Sequence, residues 1–277
     1  VGMAFSSSRL SIQQITQRQR DLRTGCYNFP VITERILSSL RADCRWDASR
    51  PLVVGVSGGA DSLTLAHCLW RAGVLFTAAH LDHGLRQSSA EEAEQVRALL
   101  SSWGVPCVVR WMDVGAYAKE HKLGIEEAAR QCRYQFLFQL AQENGAQAVA
   151  VGHTADDQVE TILLALSRGA GLAGLSGMPA TWERDGIQYH RPLLGVSAAD
   201  IRTWLADRGI TVDMPQGQGF IEDPTNTDEQ FTRNRIRARL LPALEAAFPQ
   251  FRETFARSAA HAAQAQELLL EVARQDL

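Results

Sequence analysis

Short apolar runs rich in β-branched residues alternate along this chain with longer segments in which apolar positions recur every three or four residues. The short runs predict strands at residues 52–57, 74–81, 105–110 and 147–152, with a fifth at 187–191. The longer segments predict helices between the strands, and another helix is expected near 31–42. Such alternation is typical of a parallel sheet covered on both faces. We therefore expect an α/β fold with a doubly wound, mostly parallel sheet and helices on both faces, followed by a helical C-terminal segment.

One helix is marked by an apolar stripe. Between residues 125 and 143, apolar side chains recur at Ile125, Ala129, Cys132, Phe136 and Leu140. This spacing places them on one face of a helix, which we expect to pack on the sheet. Ligands of open α/β sheets bind at the carboxyl ends of the strands. Polar motifs that directly follow predicted strands are therefore the candidate functional residues.

Composition is that of an ordinary globular protein. The 277 residues are 45% hydrophobic, which is enough to bury a sizeable core. No apolar run approaches the roughly 20 residues that span a bilayer, and the N-terminus has no apolar signal core, so we expect a cytoplasmic protein without membrane contact. The five cysteines are irregularly spaced, with no CxxC pair and no zinc-type cluster. We expect reduced, mostly packed thiols.

Charge is distributed unevenly along the chain. The net charge of −3 does not by itself indicate nucleic-acid binding, because such domains usually carry a basic surplus. Residues 1–30 carry four arginines against one acid and predict either a flexible basic tail or an extension without a role. We expect three parts: this tail, a domain over 31–227, and a segment over 228–277 that is a helical linker or the start of a second helical domain.

A Ser-Gly-Gly-Ala-Asp-Ser turn directly follows the first predicted strand and opens a helix. Gly58 and Gly59 allow a tight turn and a close approach of the backbone to an anion. The unpaired N–H groups at the helix start, with the hydroxyls of Ser57 and Ser62, would then bind phosphate. Asp61 repels phosphate unless a hard cation bridges the two, so we assign it a magnesium-bridging role. The alternative is an ordinary strand–helix connection with a helix-capping aspartate.

Two motifs carry weaker signals. The stretch HLDHGLR, residues 80–86, is a polar strand end that predicts either nucleotide binding or a solvated connection. Four glycines between residues 163 and 180 predict a mobile loop that interrupts a helix and lets the backbone approach a ligand. Neither motif defines a chemistry alone.

The stretch GHTADDQVET follows the fourth predicted strand and concentrates acidic residues. Thr154 and Asp157 have the spacing of an N-terminal helix cap, which explains one carboxylate without any chemistry. Capping leaves His153, Asp156 and Glu160 unexplained, and the last two are spaced to share one side of the helix. We expect these acids to bind magnesium or the ammonium of an amine substrate.

The last strong feature is FTRNRIRARLLPALE, residues 231–245, which has apolar positions at helical spacing. Its four arginines are Arg233, Arg235, Arg237 and Arg239. We expect them to spread around the exposed arc of a helix. One or two would reach polyphosphate or an RNA backbone through the guanidinium fork, and the others would be solvated.

These motifs resemble known families. SGGADS matches the SGGxDS pattern of the PP-loop (N-type) ATP pyrophosphatases, which cleave ATP to AMP and pyrophosphate. SGGADS, HLDHGLR, EEAARQCRY, GHTADDQVET, LLALSRGAGLAGLSGM, RPLL and EDPTN followed by TRNRIR occur, over about residues 52–245, in the order typical of the tRNA(Ile)-lysidine synthases. In that family, ATP adenylates the C2 carbonyl of the wobble cytidine of tRNA(Ile) with a CAU anticodon. The ε-amine of free lysine then displaces AMP to form lysidine.

The resemblance implies an adenine nucleotide alpha hydrolase-like fold, ATP and Mg²⁺ as cofactors, a homodimer, and a role for each residue that matches a family motif. ATP binding is assigned to Ser57, Gly58, Gly59, Ala60, Asp61, Ser62 and His80, with Asp61 as the metal ligand. The catalytic assignments are Asp61, His153, Asp157, Arg130, Arg133, Arg233 and Arg235, and Glu160 is assigned to the lysine ammonium. Whether a histidine or an aspartate deprotonates the lysine stays open.

Some features depart from the family pattern, and two rivals remain. Residues 213–220 add several positions before EDPTN. The chain ends at Leu277 without the C-terminal tRNA-binding domains of longer members, and we interpret it as a short form or a fragment. One rival is a PP-loop tRNA thiolase, disfavoured by the lack of CxxC. The other is a nucleotide-binding module without turnover, disfavoured by the acids and arginines gathered at one sheet edge.

Overall fold

The fold is built on one six-stranded sheet in this computed structural model, which describes residues 31–86, 88–211, 219–222 and 228–275. The strands are β1 (Leu52–Gly55), β2 (Phe76–Asp82), β3 (Cys107–Trp111), β4 (Ala148–Ala150), β5 (Thr181–Arg184) and β6 (Ile187–His190). Their order is β3-β2-β1-β4-β6-β5, and all neighbours run parallel except β5 and β6. The predicted fold class is confirmed.

Helices cover both faces of this sheet. They are α1 (Val31–Ala42), α2 (Ala60–Arg71), α3 (Ser89–Ser102), α4 (Val114–His121), α5 (Ile125–Glu143), α6 (Ala155–Ser167), α7 (Leu172–Leu175) and α8 (Ala198–Ala206). One face packs under α1, α2, α3 and α8, and the other under α4 and α5. The helices predicted over 31–42 and 125–143 have these bounds in the structure.

The apolar stripe of α5 is confirmed over most of its length. Cys132, Phe136 and Leu140 are buried in the core on this face of the sheet. The prediction is wrong for Ile125, which is 49% exposed. Ile125 is the first residue of α5, so the buried stripe begins one turn later than the sequence pattern indicates.

The edge strand β5 was not predicted. It joins β6 through Asp185 and Gly186, which have φ values of 54° and 77°. An Asp-Gly pair with positive φ at both positions is the preferred two-residue turn between antiparallel strands. The hairpin signal was therefore present, but the short stretch Thr181–Arg184 has one apolar residue in four and does not form an apolar run.

The C-terminal segment is helical and attaches to α6. It consists of α9 (Thr232–Arg235), one π-helical turn (Ile236–Leu240), α10 (Leu241–Ala247) and α11 (Phe251–Gln275). A third apolar cluster joins this segment to α6 through Val159, Ile236, Leu241 and Phe251. The helix predicted over 231–245 is thus present, with a π turn at its centre.

The glycine-rich stretch at 163–180 is more helical than predicted. Helix α6 continues to Ser167, and α7 forms within the stretch. The side-chain amide of Gln158 donates to the carbonyl of Met178 at 3.0 Å and accepts from its N–H at 2.7 Å. A Cβ at Gly177 would lie 2.8 Å from that amide, so this glycine is needed for the close packing.

Several predictions concern residues outside the described ranges. They concern the tail at 1–30 and most of the 213–220 stretch. They also concern residues 223–227, which include most of the EDPTN block and the predicted domain boundary. Among the helices of the described ranges, none combines the length and the apolar character needed to cross a membrane.

An aromatic cluster surrounds His67 on α2. The imidazole centroid lies 5.1–5.3 Å from the ring centroids of Trp70, Trp103 and Trp204. Its buried Nδ1 has no hydrogen-bond partner among the described residues. The pKa of His67 is lowered to about 4, mainly by burial and also by two nearby arginines. The folded protein therefore holds this imidazole neutral.

We expect acid to destabilise the fold through His67. The unfolded chain takes up this proton below about pH 6.5 and the folded chain only near pH 4, so stability falls as the pH drops through that window. At pH 5 the loss from this group is about 2 kcal/mol. In urea denaturation, His67→Phe should lose less stability between pH 7 and pH 5 than the unchanged protein. His261→Gln, on the exposed face of α11, should lose as much as the unchanged protein, and equal losses in all three would contradict the prediction.

Candidate active site

The turn between β1 and α2 requires glycine at position 58. Gly58 has a φ of +89°, which other residues rarely adopt. A Cβ there would lie 2.8 Å from Val96 Cγ2 and 3.1 Å from Ile221 Cδ1. The Gly58 carbonyl also accepts a hydrogen bond from Ile221 N at 2.9 Å. The described start of the IEDPTN stretch thus packs against the phosphate turn.

Two serines brace this turn, as the predicted phosphate cradle requires. Ser62 Oγ accepts from Ser57 N at 3.1 Å, lies 3.1 Å from Ser57 Oγ, and donates to the Gly59 carbonyl at 3.1 Å. Gly59 is the N-cap of α2 and supplies no capping side chain. The first amides of α2, from Ala60 onward, therefore lack a capping acceptor, and such helix starts bind phosphate.

His80 supports the turn from the neighbouring strand. Its side chain is buried in β2, and Nδ1 lies 2.9 Å from the Val56 carbonyl oxygen. Because a carbonyl oxygen only accepts, Nδ1 carries the proton. Burial lowers the pKa of His80, so the imidazole is neutral. The predicted contact of His80 with ATP stays a prediction, while this bond explains its place beside the turn.

The acidic motif approaches the phosphate turn at a second glycine. A Cβ at Gly152 would lie 3.1 Å from both Cα and N of Ser62. Glycine thus lets the backbone after β4 pass directly against the first turn of α2. Immediately afterwards, Thr154 and Asp157 form a capping box that starts α6, as predicted. The two motifs therefore meet at one edge of the sheet.

Asp61 is the acid of the turn that fits a metal ion. Its pKa is raised to about 6, mainly by burial and also by the charge of Asp157, while Arg202 and Arg237 oppose this. A hard cation would relieve this unfavourable charge. No group of three or more His, Cys, Asp and Glu side chains in the described ranges forms a ready metal cage. Magnesium needs none, because it binds one or two carboxylates together with substrate phosphates. The residues present therefore fit ATP with magnesium.

Two arginines of the C-terminal segment neutralise the acidic motif. Arg237 donates from Nε and one Nη to the two Glu160 oxygens, and from the same Nη to Asp157 Oδ1 at 2.8 Å. Arg252 donates to Asp156 Oδ1 at 2.9 Å. Asp156 and Glu160 thus face the same segment, in agreement with the predicted common side. Their cations come from this chain, which the sequence analysis did not predict.

Contacts with Arg237 and with the start of α6 hold the side chains of Glu160 and Asp157 in place. The Glu160 side chain is completely buried, and burial raises its pKa to about 7 against the opposing effect of Arg237. Asp157 Oδ2 accepts from Thr154 N at 2.8 Å and from its hydroxyl at 3.1 Å. Asp157 is therefore the predicted helix cap and also an ion-pair partner. The catalytic role of Asp157 and the lysine contact of Glu160 stay predictions.

A group of arginines lies around His153. Burial lowers the pKa of His153 to about 4, with Asp157 opposing, and its Nδ1 has no partner among the described residues. Burial also lowers the pKa of Arg133 and of Arg191. Arg130 is exposed, and its guanidinium lies 5.8 Å from the ring centroid of a tyrosine that Arg133 approaches equally closely. Such fixed cations suit a developing pyrophosphate.

The arginines of TRNRIRAR differ in their surroundings. Arg237 faces the acids, whereas Arg239 is 73% exposed and pairs with Glu229. Arg233 lies 3.8 Å from Glu126, and Arg235 donates to the turn before α9 at 2.8–2.9 Å. The solvated-face prediction fits Arg239. Arg235 has a local structural role, and the catalytic roles of Arg233 and Arg235 stay predictions.

Sequence reasoning assigned no individual site role to four residues that the structure brings to the site: Gly152, Arg191, Arg237 and Arg252. A signal existed for Arg237, because it lies four positions after Arg233 and so shares its side of a helix. Gly152 directly precedes the histidine of the acidic motif. Nothing local marks Arg252, whose partner Asp156 lies 96 positions earlier in the chain.

The cysteines behave as packed thiols. Burial raises the pKa of Cys44, Cys68 and Cys107 to about 11, and it also raises that of Cys132. A thiol that stays protonated is a poor nucleophile. Among the described residues, the expectation of inert thiols is therefore confirmed, which disfavours sulfur delivery by these four cysteines.

Comparison with known proteins identifies the family. The profile of the PP-loop domain, an ATP-binding family, matches residues 31–244, which supports the use of ATP. A tRNA(Ile)-lysidine synthase from Polaromonas naphthalenivorans is 49% identical over 233 residues, which cover 83% of this chain and 67% of that protein. The chain belongs to the tRNA(Ile)-lysidine synthase family. The family resemblance predicted from the motifs is confirmed.

A second relative and one solved structure are also similar to this chain. The tRNA(Ile)-lysidine synthase from Dehalococcoides mccartyi is 36% identical over 255 residues, covering 88% of this chain and 52% of that protein. The chain thus spans about half to two thirds of the length of these lysidine synthases. The U34-tRNA thiolase NcsA from Methanococcus maripaludis, solved with its [4Fe-4S] cluster, superposes with a TM-score of 0.67 at 13% identity, covering 89% of this chain and 79% of that one. This likeness shows the fold alone.

We expect Gly152→Ala to impair ATP binding. The added Cβ would push the acidic motif away from the first turn of α2, and the phosphate turn would lose its bracing. A loss of about tenfold in ATP affinity corresponds to roughly 1.4 kcal/mol. Gly55→Ala is the matched control, because its Cβ meets side chains only at 3.5 Å or more. Titration of both variants with ATP measures the difference, and equal affinities would contradict the prediction.

We expect Arg237→Met to destabilise the fold by about 2 kcal/mol, because it leaves the buried Glu160 carboxylate without a cation. Adding Glu160→Gln should restore part of the loss. Arg239→Met is the matched control, since Arg239 lies two positions away and is exposed. The free energy of unfolding in urea measures all four proteins. Equal destabilisation by Arg237→Met and Arg239→Met would show that the ion pair of Arg237 with Glu160 contributes no more to stability than an exposed ion pair.

Proposed function

We propose that this chain carries out the reaction of its family. It uses ATP to activate C2 of the wobble cytidine of tRNA(Ile) with a CAU anticodon, and it joins free lysine there to form lysidine. AMP and pyrophosphate are released, and the adenylated cytidine is the intermediate. The supporting observation is the contact of the phosphate turn with the acidic motif at Gly152. A helix start that suits phosphate thus lies beside carboxylates that suit an ammonium.

The first half of the reaction uses the phosphate turn. Backbone amides from Gly58 to Ser62, with the Ser57 hydroxyl, hold the ATP phosphates, and Asp61 would hold magnesium, which would supply positive charge against the phosphates. Arg130, Arg133 and Arg233 stabilise the pyrophosphate that leaves when the cytidine O2 attacks the α-phosphate. The neutral His80 keeps the turn in place through its bond to the backbone of β1.

The second half uses the acidic motif. Glu160 receives the lysine ammonium, which requires Arg237 to give up one of its bonds to that carboxylate. The ammonium must also lose a proton before the amine attacks, and whether a histidine or an aspartate accepts that proton stays open. Both oxygens of Asp157 are already bonded, so Asp157 orients the site. The amine attacks C2, and AMP leaves.

The proposal extends to the organisation of the chain. We propose that 31–227 is the catalytic domain and that 228–277 is a helical segment which completes the site through Arg237 and Arg252. The tRNA and ATP substrates place the reaction in the cytoplasm. Of the tail at 1–30 we keep only the prediction of a basic extension.

One incubation tests the function. The protein is mixed with ATP, magnesium, labelled lysine and a tRNA carrying a CAU anticodon. We expect lysine-dependent release of AMP and label on the tRNA, and neither with a tRNA whose wobble base is not cytidine. Incorporation of sulfur would favour the thiolase, and ATP binding without turnover would favour the nucleotide-binding module.

Asp61→Asn separates a metal ligand from a helix cap. An asparagine still caps a helix but holds magnesium poorly, so we expect pyrophosphate release to fall at least a hundredfold, about 2.7 kcal/mol in the barrier. Asp185→Asn, in the hairpin turn between β5 and β6, is the control and should keep full turnover. Near-normal turnover of Asp61→Asn with an intact fold would assign its carboxylate to capping alone.

A further inference from the structure

The strand-end motif HLDHGLR supports an exposed tryptophan on the neighbouring strand. All six tryptophans lie in the described ranges, and Trp111 is the one whose side chain is exposed, by 62%. Trp111 ends β3 and pairs with Asp82, the last residue of β2. Its side chain therefore lies at the carboxyl edge of the sheet, where the phosphate turn and the acidic motif also lie.

One edge of this exposed indole packs against backbone. A Cβ at Gly84 would lie 2.8 Å from Trp111 Nε1 and 3.2 Å from Cε2, so one edge of the ring rests on the Gly84 backbone. Gly84 has a φ of +62°, and its N–H donates to the Asp82 carboxylate at 2.9 Å. Met112 N donates to the Asp82 carbonyl at 2.9 Å. The backbone on both sides of the ring is therefore fixed.

The position of Trp111 matches what an RNA substrate would meet. Strand β3 is two strands from β1 in the sheet, a separation of about 10 Å. A tRNA continues on both sides of the reacting cytidine, so a nucleotide next to that cytidine is within reach of a side chain about 10 Å from β1. Leu85, which follows Gly84 in the chain, is also exposed, by 46%.

The charges of the chain give a second reason for a stacking contact. The net charge is −3, and three arginines of the segment expected to reach RNA already have partners in the chain. Arg233 lies near Glu126, Arg235 bonds the turn before α9, and Arg239 pairs with Glu229. Purely electrostatic binding of RNA is therefore limited. Aromatic stacking adds affinity without added charge, and every base has a face that can stack.

We propose that Trp111, supported by Gly84, is a stacking platform for an unpaired base of the tRNA next to the modified cytidine. The inference rests on the proposed function for the identity of the RNA. It adds a binding residue on the β2–β3 side of the site, opposite the acidic motif on β4. The indole contributes binding and takes no part in the chemistry.

Binding of a fluorescent RNA hairpin with a CAU anticodon loop, measured without ATP or lysine, tests the platform. Trp111→Ala should weaken binding about tenfold, and Trp111→Phe, which keeps an aromatic face, should weaken it much less. The loss should be the same at low and high salt, because no phosphate contact is removed. Phe248→Ala is the matched control: Phe248 is 64% exposed but lies on the C-terminal segment, and its variant should bind like the unchanged protein.

Three results would overturn the platform. Unchanged RNA binding by Trp111→Ala would show a solvated side chain, and a raised KM for ATP with unchanged RNA binding would assign the indole to adenine. A fall in thermal stability that accounts for the lost binding, shared by Trp111→Phe, would indicate a structural role. If the unchanged protein binds the hairpin through Trp111 but forms no lysidine, the proposed function fails and the platform stands.

Discussion

Compensation of buried negative charge is the constraint on which this site depends. Asp61, Asp156, Asp157 and Glu160 gather at one sheet edge, and burial makes each charge costly unless a cation lies nearby. The C-terminal segment supplies those cations through Arg237 and Arg252. Asp61 makes no such ion pair among the described residues, and in the proposed function a metal ion compensates its charge. The segment is therefore more than an appendage, because without it the acidic motif would hold unpaired carboxylates.

Close approach of two backbone segments is the second requirement. Gly152 lets the chain after β4 touch the first turn of α2, and Gly58 lets the turn itself close against Val96 and Ile221. A Cβ at Gly58 would lie 2.8 Å from Val96, and a Cβ at Gly152 would require the backbone of α2 to shift. The two halves of the proposed reaction, activation by ATP and attack by an amine, meet at these glycines. A site of this kind is formed by packing as much as by polar residues.

The two sides of the sheet edge offer different kinds of contact for a substrate. On the β4 side, arginines and acids pair with one another, and this limits their use for RNA phosphates. On the β2–β3 side, the apolar surface of Trp111 and Leu85 is open. A slightly acidic chain can bind RNA when base stacking adds affinity to the ionic contacts with phosphate. The relatives are longer than this chain, and their additional length lies outside the region of similarity.

The sequence by itself determined the fold class, the bounds of α1 and α5, the cap of α6 and the family. These depend on local patterns: the periods of helix and strand, and short motifs whose residues are neighbours in the chain. It missed β5, although Asp185 and Gly186 signalled a hairpin, and it misplaced Ile125. Only the tertiary structure decided the partners of the acids. Arg237 lies 77 positions after Glu160, and Arg252 lies 96 positions after Asp156. No local pattern encodes such a pairing. It forms when the C-terminal segment packs on α6 and brings the two arginines within hydrogen-bond distance of the buried carboxylates.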